Sequence, residues 1–221
     1  MRLLFLPTIA LLLAIALLVA VAPPAAAATG TTGLFGTIEM QRSSLKPFPK
    51  WTGTLARIFE ERNLLNRPCD GVRGGRIDPC KLARWQGFLD GLAGTDRRRQ
   101  IEAVNREMNA RADILDLVNW GVEDYWAMPG QCLQRNGDCE DYAIAKYMSR
   151  RALGVPPEAM RIVVLKDRNL GIGHAVLAVT LGADTLILDN QISTVVRHLR
   201  IRHYRPIYSI NETAWWLHRV P

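Results

Sequence analysis

Cys139 sits in the run Gly137-Asp138-Cys139-Glu140-Asp141-Tyr142-Ala143, a thiol set between acids at what reads as the start of a helix. His174 opens a later apolar stretch, and Asp189 closes the one after it. Thiol, imidazole and carboxylate, in that order, are the parts of a covalent acyl-transfer site. At a helix's first turn, free backbone N–H groups and the helix dipole favour negative charge, which lowers a thiol's pKa. The plain alternative for Cys139 is a small buried residue, the commonest state of a free cysteine. His174 follows a glycine-containing loop over 167–173, at the mouth of a strand, where an imidazole can do acid–base work. Its plain alternative is an edge histidine that only packs. If the flanking strands turn at Gly182-Ala183, Asp189 falls opposite about Val176 and shares a face with His174. That places a carboxylate to orient the imidazole, as the third member of a triad does. Otherwise Asp189-Asn190 simply starts a turn.

The acids around Cys139 oppose this chemistry, because like charges raise a thiol's pKa. One resolution is helix capping, with Asp138 as N-cap and Asp141 reaching back three residues later. Another is a bound cation. Asp138 and Glu140 offer hard oxygen ligands, and carbonyls of the 167–173 loop could complete a Ca²⁺ shell, although no EF-hand spacing is present. The N–H of Cys139 is one candidate oxyanion donor, with a side chain from 119–136 as the other.

The elements that must position these groups fall into two blocks. Apolar residues at helical spacing predict helices over 52–66 (Leu55, Ile58, Phe59, Leu65), 82–92 (Trp85, Phe88, Leu89, Leu92) and 97–109 (Ile101, Val104, Met108), the last capped by Asp96. Residues 113–131 carry Trp120, Tyr125, Trp126 and Pro129 and read as a loop with short helical turns. The helix opened by Asp138 runs to about Leu153, where Gly154 and Pro156-Pro157 stop it. Strand-like runs follow over 161–166, 174–181 and 185–188, with a further one near 203–210. Helices first and an antiparallel sheet second make an α+β arrangement.

Residues 3–22 are almost wholly apolar, preceded by Arg2 and followed by Pro23-Pro24 and four alanines. That describes a signal peptide over 1–28, cleaved or retained as a membrane anchor, and an exported protein. Residues 29–50 read as an extended leader, and 51–221 as the folded domain. Export makes Cys69 and Cys80 natural disulfide partners across a glycine-rich loop. Cys132 and Cys139 could also pair, and the absence of any CxxC pair argues against a four-cysteine zinc site. The net charge is +7, but the basic residues are dispersed and do not alternate with aromatics. This suits an acidic partner or anionic surface and gives no nucleic-acid pattern.

The 137–147 segment closely resembles the bacterial transglutaminase-like cysteine peptidases, as do Asp124-Tyr125-Trp126-Ala127, Gly154-Val155-Pro156, Gly173-His174-Ala175-Val176-Leu177, Leu188-Asp189-Asn190 and Trp215-Trp216-Leu217. The resemblance implies a papain- or transglutaminase-like fold and a periplasmic cysteine endopeptidase, with Cys139 as nucleophile, His174 as base and Asp189 as orienter. It implies Ca²⁺ held by Asp138 and Glu140, a protein substrate such as a large biofilm adhesin, a monomer, and by analogy an inner-membrane regulatory receptor. Cys132 departs from the family, which more usually has a non-cysteine residue there, and a second thiol could trap the nucleophile as a disulfide. The same triad would also serve an acyl-transferring transglutaminase or amidase. A non-catalytic periplasmic binding module is the remaining alternative, but it has no need of all three residues.

Overall fold

The computed structural model describes residues 32–61, 69 and 77–221. The expected signal peptide over 1–28 lies outside the described residues. So does the last part of the helix expected over 52–66.

The described helices are α1 (Pro49–Glu61), α2 (Pro79–Asp90), α3 (Arg97–Asn109), α4 (Asp116–Trp120), α5 (Pro129–Arg135) and α6 (Cys139–Ala152). Their starts follow local chemistry. The Asp96 carboxylate accepts from the Arg99 N–H at 3.0 Å and opens α3 where the sequence predicts. Asp78 accepts from the Cys80 N–H at 2.8 Å, with Pro79 in the first helical position, so α2 begins earlier than its apolar spacing suggests. In α1 the buried face is Trp51, Thr54 and Ile58, while Phe59, counted on that face from its spacing, is exposed. The 113–131 stretch does contain helical turns, which become α4 and α5.

The strands are β1 (Ile38–Arg42), β2 (Met160–Asp167), β3 (Gly173–Leu181), β4 (Asp184–Leu188), β5 (Val196–Arg197), β6 (Tyr204–Ile210) and β7 (Trp215–Arg219). They form one sheet in the order β1-β7-β6-β2-β3-β4-β5, antiparallel at every pairing. The α+β fold, with helices packed on an antiparallel sheet, is therefore as expected. Strands β1, β5 and β7 escape a sequence reading because β1 and β7 are half-exposed and lack clean alternation, and β5 has two residues. The segment expected as an extended leader thus contributes β1. Glu39 anchors it, accepting from the Leu34 N–H and from Arg161, both at 2.8 Å.

β2 and β3 are apolar almost throughout because both faces of the sheet are covered. On one face Ile162, Leu177, Val179 and Leu188 pack with Ile144 and Tyr147 of α6 and with Trp51 of α1. On the other, Val163, Leu165, Val176 and Ile187 meet Leu34, Ile201 and Tyr204. A third cluster joins α2, α3 and α5 to the far side of α6 through Trp85, Val104, Met108, Cys132 and Tyr142. Helix α6 is thus enclosed by the sheet on one side and by helices on the other. Among the described residues no helix is long and apolar enough to cross a membrane.

Cys69 and Cys80 form a disulfide with Cα atoms 4.9 Å apart, while Cys132 and Cys139 are free thiols. Cys132 is completely buried, so the pairing with Cys139 considered from sequence is not present. Replacing Cys69 and Cys80 together by Ala should lower the unfolding free energy by about 2–3 kcal/mol, the chain-entropy value for a loop of this size. Chemical denaturation measures it, and peptide mapping without reductant should recover the bridged pair from the native protein.

Candidate active site

Two chain crossings build the site. The first is the β3–β4 hairpin. Gly182 turns it with φ +62°, a left-handed conformation that glycine adopts without strain. The register pairs Leu177 with Leu188, which carries Asp189 out opposite Val176, as the sequence predicts. His174 Nε2 lies 2.9 Å from Asp189 Oδ1, and both side chains are almost fully buried. Two further donors that the sequence does not reveal complete the carboxylate. Tyr204 OH donates to Oδ2 at 2.6 Å, and the Gln191 N–H donates to Oδ1 at 2.8 Å. Burial works to raise the Asp189 pKa, but the donors from His174, Tyr204 and Gln191 outweigh it and keep the carboxyl below the usual aspartate range. The Asp189 anion thus holds the imidazole by Nε2 and leaves Nδ1 for chemistry; Gln191 Nε2 approaches Nδ1 at 3.4 Å.

The second crossing is the start of α6. Asn136 (φ +64°) and Gly137 turn the chain into it. A Cβ on Gly137 would lie 2.4 Å from Asp141 Oδ2, so only glycine lets Asp141 close against this turn. A short bridge pairs Asp113 with Gly137, and Ile114 N–H donates to Gly137 O at 2.9 Å. That bridge brings Asp116, at the start of α4, beside Asp138 and Glu140. One carboxylate oxygen from each of the three lies within 4.8 Å of the others.

The capping expected here differs in detail. Asp138 occupies the N-cap position, but its side chain caps nothing, and its Oδ1 is buried without a partner. Asp141 Oδ1 instead accepts from the Ala127 N–H at 2.7 Å, which ties the 124–128 segment to α6. The loop over 167–173, expected to lend carbonyls to a cation, is closed on itself. Its Asp167 and Ile172 carbonyls accept from Gly171 and Asp167, and the Asp167 carboxylate accepts from Asn169. The third acid comes from Asp116, which the sequence reading missed because it lies in another element and only the Asp113–Gly137 bridge makes it a neighbour.

Burial, then repulsion from Glu140, Asp141 and Asp116, pushes the Asp138 pKa up to about 9. Burial likewise raises Asp116, with Glu140 adding to it. These are the marks of a site short of positive charge. Three hard oxygens, two with an orphaned buried atom, fit a divalent cation of the Ca²⁺ type. Cys139, half-buried at the head of α6, shares this environment. Burial first, then the Glu140 charge and hydrogen bond, raise its thiol pKa, while the backbone amide of Ala175 works the other way. The thiol donates to Glu140 Oε2 at 3.1 Å and makes no hydrogen bond to His174. So the structure joins His174 to Asp189 and brings Cys139 to β3 at Ala175, but the thiol's proton faces an acid.

Gly137→Ala should destabilise the protein by about 1–3 kcal/mol, the usual cost of forcing an atom into a packed site. Gly173→Ala, where an added Cβ meets nothing within 4 Å, is the control and should change little. Thermal and urea unfolding of the two variants make the comparison.

The model of the bacterial transglutaminase-like cysteine proteinases (BTLCP) matches residues 84–218. Among solved structures, Legionella pneumophila LapG superposes with a TM-score of 0.59 at 28% identity, over 74% of this chain and 87% of that one. Calcium-bound LapG of the same organism gives 0.60 at 28% identity, over 72% and 87%. EGTA-treated LapG gives 0.60 at 27% identity, over 75% and 86%. A comparison with curated proteins found no match. The match over 84–218 spans more than half of the chain, α2 through β7, and includes Cys139, His174 and Asp189. The chain therefore belongs to the bacterial transglutaminase-like cysteine proteinase family and is a cysteine peptidase.

Proposed function

We propose that this protein is a calcium-dependent, periplasmic cysteine endopeptidase working through Cys139, His174 and Asp189. The observation that carries this reading is the buried His174–Asp189 pair at the mouth of β3, beside the strand position that α6 brings Cys139 against. Cys139 Sγ attacks the scissile carbonyl carbon, and its proton passes to His174 Nδ1. His174 returns that proton to the leaving amine, which breaks the C–N bond and leaves a thioester. Water, losing a proton to His174, then releases the carboxylate product and the thiol. Asp189 stays ionised throughout and steadies the imidazolium. In the 119–136 span expected to supply a second oxyanion donor, the buried side-chain donors without a partner are Asn119 Nδ2 and Trp120 Nε1.

Asp116, Asp138 and Glu140 are the residues that would hold Ca²⁺, whose positive charge would offset the acids beside the thiol. With Glu140 so engaged, the Cys139 thiol would lose the acceptor that now holds its proton. That the related LapG has been obtained both calcium-bound and EGTA-treated supports this reading. The apolar N-terminal run supports export, and with it a secreted or surface protein as substrate, such as the adhesin the family resemblance implies. An inner-membrane receptor as regulator rests on the same resemblance.

Cys139→Ala should abolish cleavage while leaving the fold unchanged. Mapping of new N-termini among surface proteins, in the presence of wild-type and Cys139→Ala protein, reads this out. Products of unchanged mass in added primary amine confirm hydrolysis; incorporation of the amine would mean acyl transfer instead.

Calcium dependence can be read without a substrate. Iodoacetamide should alkylate Cys139 faster in Ca²⁺ than in EGTA, by about tenfold or more, and Mg²⁺ should restore less because the smaller ion demands a stricter octahedral shell. Asp116→Ala should remove the difference as fully as Asp138→Ala does, while buried Cys132 stays unreactive. Equal rates in Ca²⁺ and in EGTA, with metal-free protein verified by elemental analysis, would rule the dependence out.

A further inference from the structure

Lys146 lies on α6 two turns beyond Cys139 and is 1% exposed. Its neighbours along the helix, Ile144, Ala145 and Tyr147, are core residues. An ammonium in such a place carries a desolvation cost of several kcal/mol, and a Leu or Met of similar length would avoid it. Burial lowers the Lys146 pKa to about 7, against the opposing pull of Asp189 and Cys132. The described ion pairs give Lys146 no carboxylate partner. Its hydrogen bond goes to the neutral amide of Asn109, at 2.7 Å from Nζ to Oδ1.

Asn109 is the last residue of α3, and the other end of its amide donates to the backbone carbonyl of Asp189, at 2.6 Å. An asparagine amide can sit either way round in its pocket, and only its partners fix which end is oxygen. A protonated lysine, the form that the Asp189 charge favours, has donors and no acceptor. Placed against Asn109, it requires the oxygen on its own side and sends the NH₂ to Asp189. With the amide reversed, Lys146 would face a donor and the Asp189 carbonyl an acceptor, and both bonds would be lost. The next residue is tied the same way, Asn190 Nδ2 donating to Asp113 Oδ2 at 3.0 Å. Asp189 is therefore held at its side chain by His174, Gln191 and Tyr204 and at its backbone by Asn109.

We propose that Lys146 is a positioning residue for the His174–Asp189 pair, acting through the orientation it imposes on Asn109. The role accounts for a buried cation that packing alone would disfavour. It rests on the assignment of His174 and Asp189 given above. A loosened Asp189 backbone lets the carboxylate drift from Nε2, and the tautomer that leaves Nδ1 free loses its support. A triad whose imidazole is in the wrong tautomer loses rate steeply while substrate binding is untouched.

The test uses the full chain with Lys146→Met, Lys146→Gln, Asn109→Leu and Asn109→Asp. The imidazole ¹⁵N shifts of His174, measured in a Cys139→Ala background, report its tautomer and pKa whether or not cleavage occurs. They therefore stand apart from the peptidase assignment. Lys146→Met and Asn109→Leu should each move His174 towards a mixture of tautomers and cut kcat by about tenfold or more with KM little changed. Lys146→Gln, which still offers an N–H to Asn109 Oδ1, should rescue most of both. Asn109→Asp keeps a partner for Lys146 but takes the donor from Asp189, so it should behave like Asn109→Leu. The double variant Lys146→Met/Asn109→Leu should be no worse than the worse single, as for residues acting in one chain. Unchanged His174 shifts in Lys146→Met, or a loss that follows thermal stability alone across the four variants, would overturn the proposal.

Discussion

Helix α6 is buried on almost every side, and the rest of the site depends on that constraint. A helix with one apolar stripe can shift along a surface; one buried all round cannot. Ile144 and Tyr147 fix α6 against the sheet, while Tyr142 and Ala145 fix it against α2, α3 and α5. Its first turn is thereby delivered to one place, at Ala175 of β3, one residue from His174. The candidate groups sit at the ends of packed elements, where position is set by cores on both sides of the sheet rather than by loop conformation.

The same burial creates the site's electrostatic problem. The first turn of α6 gathers Asp138, Glu140 and Asp141, and the Asp113–Gly137 bridge adds Asp116. The positive end of the helix dipole favours one negative charge there, by about 0.3–1 kcal/mol. It cannot balance four acids partly out of water. The consequences are the upward-shifted carboxyls and a thiol whose proton is held by Glu140. The pair on the other side of the site is arranged oppositely. Asp189 has donors for both carboxylate oxygens and for its backbone carbonyl, and it remains a stable anion. One half of the site is complete within the chain; the other half carries acids whose charge nothing beside them balances.

Much of this was legible in the chain. Apolar runs gave β2, β3 and β4, and the turn at Gly182-Ala183 gave the β3–β4 register and with it the approach of His174 to Asp189. Asp96 marked the start of α3, and the glycine-rich loop between Cys69 and Cys80 gave the disulfide. Less legible were the strands β1 and β7. Their residues are half-exposed, and they are strands because a neighbour supplies their hydrogen bonds, which no local pattern records.

Residue types and periodicity determined most of the elements and singled out the candidate reactive groups, because those depend on interactions within a few positions of the chain. The tertiary structure alone decided which distant residues complete them. Asp116 joins Asp138 and Glu140 through a bridge between two loops. Tyr204 reaches Asp189 from β6, and Lys146 reaches it through Asn109. It also decided that Asp138 and Asp141, which look like helix caps, face a shared acidic site and the Ala127 amide instead. A carboxylate's partner is set by what packing brings within 3 Å of it, and the sequence around that carboxylate holds no record of that.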